Sequence, residues 1–111
     1  MSEWVGRAGQ RYYFPSLTYT FTTSAETQYG TRTLYKFEDG RGNVFVWWTG
    51  SRLEVVLGSE VEGYAVVKGH DTYNGVKQTI LKNCVLALKG AGQMTFDFGE
   101  FLESDEQEDV G

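Results

Sequence analysis

The chain has 111 residues, 41% of them hydrophobic and 15% aromatic, which is enough for one buried core and too few for two ordinary domains. Its single cysteine, Cys84, and single histidine, His70, exclude an internal disulfide and a tetrahedral Cys/His zinc site built within one chain, so neither metal nor other cofactor is expected. The formal charge of −5 argues against a polyanionic partner only until its distribution is read: residues 97 to 111 hold seven carboxylates and no lysine or arginine, leaving all ten basic side chains against eight acidic ones in the rest.

Residues 1 to 10, with Gly6 and Gly9, read as a loose lead-in whose Trp4 and Val5 are the side chains able to dock on the body. No charged-then-apolar leader and no apolar run near the ~20 residues of a membrane span is present, so a soluble, cytoplasmic protein without membrane contact is expected. Beyond this start the chain is rich in Val, Thr, Tyr, Phe and Trp, punctuated by Gly, Asn and Asp, and it predicts strands at about 16–24, 31–38, 43–49, 61–69 and 77–88. Arg52 to Leu57 is the one place for a short helix or turn. From Leu102 onward dense like charge and few apolar residues predict a disordered acidic tail, giving a domain over 1–101 (core about 10–90) and a tail over 102–111. The fold class is therefore all-β. Five strands with a long third connection match the five-stranded OB-type Greek-key barrel, although an SH3-like barrel or a β-sandwich fragment fits the same strand count.

The segment Thr31 to Thr49 carries the most information, because the loop through Asp39, Gly40, Arg41 and Gly42 sets which residues pair. Centred between Gly40 and Arg41, it places Phe37 opposite Val44, Tyr35 opposite Val46 and Thr33 opposite Trp48. The other face then pairs Lys36 with Phe45 and Leu34 with Trp47, beside Arg32 and Thr49. Cations interleaved with large rings suit a single strand of nucleic acid, since bases stack on aromatic faces for roughly 1–3 kcal/mol each while Lys and Arg neutralise phosphates. In the competing reading Phe45 and Trp47 pack under another segment with Arg32 and Lys36 lying over them. One extra residue in the hairpin exchanges the two faces.

Further along, Asn74-Gly75 is a tight-turn signal, and the ribbon around it carries His70, Tyr73, Lys77 and Gln78 near its tip, suited either to clasping a strand or to ordinary solvated turn chemistry. Taken together, Glu26-Thr-Gln-Tyr-Gly30, Leu34-Tyr-Lys-Phe37, Asp39, Gly42-Asn-Val-Phe-Val-Trp47, Lys68-Gly-His70 and Tyr73-Asn-Gly-Val-Lys-Gln-Thr79 resemble an OB-type domain of phage and bacterial replication-associated proteins. The resemblance runs over about residues 10 to 88 and is most specific from Lys68 to Leu81. It implies an OB barrel that binds single-stranded DNA through Lys36, Phe45, Trp47, Tyr73 and Lys77. The pattern's basic residue after the Gln-Thr pair is matched nearest by Lys82, slightly displaced.

An acidic tail after such a barrel also resembles single-strand binding proteins of replication, and it implies recruitment of replication proteins or competition with DNA; this tail lacks an apolar tip. Physically, seven tethered carboxylates act as a local anion at high effective concentration, or simply as a solubilising tail. No nucleophile with its base, converging carboxylate pair, metal-ligand spacing or phosphate loop is evident, and His70 and Asp71, being adjacent, point to opposite faces of a strand. The expectation is thus a binding module rather than an enzyme, with single-stranded DNA as partner. RNA stays open, because nothing in the chain reads a 2′-hydroxyl. A protein-docking role for the same aromatic face is the alternative. Cys84, in an apolar stretch, is expected to be a buried, inert thiol.

Overall fold

The computed structural model describes residues 1–90, so the predicted domain boundary and acidic tail lie outside the described residues. Five strands form: β1 Arg11–Thr27, β2 Gly30–Glu38, β3 Val44–Thr49, β4 Glu60–Tyr73 and β5 Val76–Leu88. Every predicted strand is present. β1 begins five residues earlier than expected, because Arg11 to Phe14 pair with Val66 to Gly63 of β4. Arg52 to Leu57 contains no helix; the connection runs as bends and a turn that lay Leu53 and Val55 against the core.

The strands close into a barrel in the order β1-β2-β3-β5-β4. All neighbours are antiparallel except β3 and β5, which run parallel over Val44 to Trp47 against Gln78 to Leu81. A parallel neighbour requires a crossover, and the β3–β4–β5 path supplies it. This is a five-stranded all-β barrel whose strand order is compatible with the OB plan. Closure is tightest at Gly63, where a side chain would overlap the Val85 carbonyl oxygen, so only glycine lets β4 pass β5 there.

The interior is aromatic. Phe14 meets Phe45 edge-on at 5.2 Å, Tyr19 meets Tyr35 at 5.7 Å, and Tyr35 lies 5.5 Å from Trp47. Aliphatic Leu17, Val61, Val67 and Leu81 fill the space between these rings. Tyr35 keeps its hydroxyl satisfied by accepting the Leu53 N–H, which ties the β3–β4 loop over one end of the core.

The β2–β3 hairpin departs from the expected pairing by one residue. Phe37 faces Phe45, Tyr35 faces Trp47, Lys36 faces Val46 and Leu34 faces Trp48. The cause is the loop, which runs from Asp39 to Asn43 and so has an odd length. The Asp39 carboxylate accepts the N–H groups of Arg41 and Asn43 and the Asn43 side-chain amide, while the Asp39 N–H donates to the Asn43 carbonyl. Gly42 sits at φ 81, a backbone shape that glycine adopts without strain. Burial pushes the Asp39 carboxyl up, but the bonds from Asn43 and Arg41 outweigh it and hold the group below the usual carboxylate range.

Because that pKa is depressed on folding, the contribution of Asp39 is complete above its unfolded value and is lost as pH falls through the folded one. Asp39→Ala should lower stability at neutral pH by about 1 kcal/mol through the missing loop hydrogen bonds. In urea titrations the gap between wild type and variant should shrink steadily on acidification.

Candidate nucleic-acid interface

The barrel's outer surface carries a row of residues set side by side by strand register. Phe21 of β1 pairs with Lys36 of β2, Lys36 with Val46 of β3, and Val46 with Ile80 of β5. Thr23, Leu34 and Trp48 form the next row. A register shift between Val67 and Gly69 bends the distal β4–β5 ribbon, and bulges of this kind re-aim the strand that carries them. The ribbon thereby brings Asp71, Tyr73 and Gln78 over the two rows, enclosing a groove of about 440 Å³.

At the centre of this groove the Lys36 ammonium lies 5.5 Å from the Phe21 ring and 5.5 Å from the Tyr73 ring, a cation held between two aromatic faces. Both rings keep about half of their surface in solvent, as does Trp48 at 44%. Gln78 is only 7% exposed in the groove wall, and among the described residues its amide has no hydrogen-bond partner. Two shallower depressions extend the track. One, along Tyr29, Arg32 and Trp48, leads towards the β1–β2 turn; the other, along Glu38, Asn74 and Val76, leads to the ribbon tip.

Of the residues singled out from sequence, Lys36, Tyr73 and Gln78 meet in the groove, and Arg32 lies on its extension. Phe45 and Trp47 do not line it. They point into the core with 0% and 9% exposure, because the odd loop exchanges the two faces of β3, and a ring buried against Phe14 or Tyr35 has no free surface for a base. His70 and Lys77 fall on the ribbon's other side, since side chains alternate along a strand. Lys82 is exposed on β5 opposite Val66 and lies outside the groove.

The chain start occupies the ribbon's other side. Ser2 donates from its hydroxyl to the Lys77 carbonyl and accepts the Val44 N–H; Glu3 donates its N–H to Asn43 and pairs with Lys77 at 3.0 Å; Val5 donates to Thr79. The Trp4 indole donates to the Asp71 carbonyl, lies under the Lys77 ammonium at 5.0 Å and packs beside His70 at 5.7 Å. The expected docking of Trp4 and Val5 is therefore present, and it fixes the ribbon from behind. Sequence reasoning placed Leu34 on the face beside Lys36 but missed Phe21 and Trp48 as groove residues. The signal that could have found Trp48 was Gly42-Asn43, a pair suited to a longer, odd loop; Phe21 turns outward through the register shift after Tyr19, which that loop does not reveal.

Cys84 is partly buried beside the core, where desolvation alone pushes its thiol up to about 12. No family model, curated protein or solved structure matches this chain. Among the described residues no helix is long and apolar enough to cross a membrane.

Two substitutions separate the adjacent tryptophans. Trp47→Ala should destabilise the fold by about 3–5 kcal/mol, as expected for a buried ring, whereas Trp48→Ala should change the unfolding free energy from urea titration by less than about 1 kcal/mol. Separately, the Cys84 thiol should react with iodoacetamide at pH 8 far more slowly in the native protein than after unfolding, by a mass-shift time course.

Proposed function

We propose that the groove over β1, β2, β3 and β5 binds single-stranded DNA without chemical change to it. The observation that carries this reading is the Lys36 ammonium between Phe21 and Tyr73, with Trp48 exposed in the adjoining row. Rings with free faces and a cation between them provide a stacking surface and a phosphate contact within one nucleotide step of each other. Arg32 supplies a second cation along the track, and the Gln78 amide, without a partner among the described residues, can donate to or accept from a base edge. The position agrees as well, for OB barrels bind oligonucleotides over the strand 2–3 face and the loops at its margins.

The motif resemblance from Lys68 to Leu81 supports phage or bacterial DNA replication or recombination as the setting. In that setting the acidic stretch of residues 97 to 111 competes with DNA for the weakly basic body or recruits replication proteins.

Titration with oligo-dT should quench tryptophan fluorescence, and most of that quenching should disappear in Trp48→Ala. By anisotropy of a labelled oligonucleotide, Trp48→Ala and Tyr73→Ala should each weaken binding about tenfold or more. With Arg32 and Lys36 on phosphates, raising salt from about 50 to 300 mM should cost about another tenfold, and Lys36→Gln should flatten that slope. A flat titration at low salt, both with and without residues 97 to 111, overturns the reading.

A further inference from the structure

A second groove lies on a different part of the barrel and shares no lining residue with the first. β5 has β3 as a neighbour only from Gln78 to Leu81, whereas β4 accompanies it through to Leu88. From Lys82 to Leu88 one edge of β5 therefore has no strand beside it among the described residues, and no backbone hydrogen bond joins it to the β3–β4 loop. Alongside this edge runs a cleft of about 460 Å³, walled by Trp47, Leu53, Val55, Cys84 and Leu86. An open strand edge beside an apolar cleft is a template for another strand: the backbone groups supply pairing and the cleft receives alternate side chains.

The chain itself supplies the candidate. β5 ends at Leu88; the Lys89 N–H then donates to the Glu60 carbonyl and the Gly90 N–H to the Glu62 carboxylate, and Gly90 turns at φ 87. The polypeptide thus leaves the described fold at the end of the open edge. Three residues on begins Met94-Thr-Phe-Asp-Phe98, which alternates apolar and polar positions with the period of a strand and is followed by Phe101 and Leu102. Residues 91 to 93 reach about 10 Å, enough for a return alongside β5. The nine residues from Met94 to Leu102 extend over about 25–30 Å, more than the edge needs.

We propose that Met94 to Leu102 adds to the free edge of β5 as a sixth strand, with Met94, Phe96 and Phe98 turned into the cleft. Asp97 then lies on the solvent side, Glu100 follows the three apolar side chains at the far end of the edge, where Lys82 is exposed, and the denser run of carboxylates from Glu103 onward begins beyond the docked piece. A tether this short keeps the segment at millimolar effective concentration, which favours it over a second copy at ordinary protein concentrations. The inference does not depend on what the Lys36 groove binds.

Hydrogen exchange on the full chain tests it. Amides of 94–102 should exchange about tenfold or more slower than those of 103–111. Phe96→Ser combined with Phe98→Ser should abolish that protection and speed exchange at 82–88, while β1 and β2 stay unchanged. The same double variant should raise the reaction rate of Cys84 with a thiol reagent about tenfold, because the thiol lines the vacated cleft. Unprotected 94–102 amides in the wild type, or a Cys84 rate indifferent to the double substitution, overturns the proposal. Protection that grows with protein concentration also overturns it, by assigning the edge to a second copy.

Discussion

Asp39 accepts three hydrogen bonds inside a five-residue loop, and two features of the molecule are set by that one carboxylate. The first is register. A loop of odd length turns Tyr35, Phe37, Phe45 and Trp47 inward together, so the barrel interior is filled by rings in edge and tilted contacts. A slip by one residue would leave Tyr35 and Phe37 inside but send Phe45 and Trp47 to the opposite face. The second is the orientation of Asn43, whose amide is held by Asp39 while its oxygen receives the Glu3 N–H. The loop that sets the hairpin therefore also anchors the chain start.

From that anchor the chain start reaches the ribbon. Ser2 and Glu3 grip Lys77, Trp4 reaches the Asp71 carbonyl, and Val5 meets Thr79. A two-stranded ribbon projecting from a sheet is marginally stable unsupported. Here its rear is tied to β3 through the first five residues, which holds Tyr73 over Lys36 in front. Lys77 and His70 are committed to the rear contacts, and this is why two polar residues that look suited to a ligand stand away from the groove.

An extra residue in β5 explains how one short barrel presents two separate surfaces: the register shift between Tyr64 and Val66 of β4, opposite Asn83 at φ 51, turns the even-numbered side chains of β5 from the outer face to the core side. β5 lends Gln78 and Ile80 to the Lys36 groove; further along it lends Cys84 and Leu86 to the cleft beside Leu53. β3 changes hands at the boundary, pairing with β5 only up to Leu81. The first surface joins rings to cations, whereas the second is an apolar cleft beside backbone left unpaired among the described residues, so the two call for occupants of different chemistry.

Much of the fold was legible in the sequence, because strand propensity, turn residues and alternation act over a few neighbours. The five strands, the all-β class and the docking of Trp4 and Val5 all follow from such local signals. Lys36 and Tyr73 were legible as candidates for the same reason, since a cation and an aromatic in outward positions need no distant information. What only the tertiary structure decided was which of two alternating faces turns inward. That depends on a single residue in the Asp39 loop, and a period-2 pattern with rings on both faces, Trp47 on one and Trp48 on the other, does not distinguish the two. Burial of Phe45 and Trp47, and with it the exposure of Trp48, was settled by hydrogen bonds inside the loop, whereas the outward position of Phe21 was settled by the register shift between Tyr19 and Phe21 on β1.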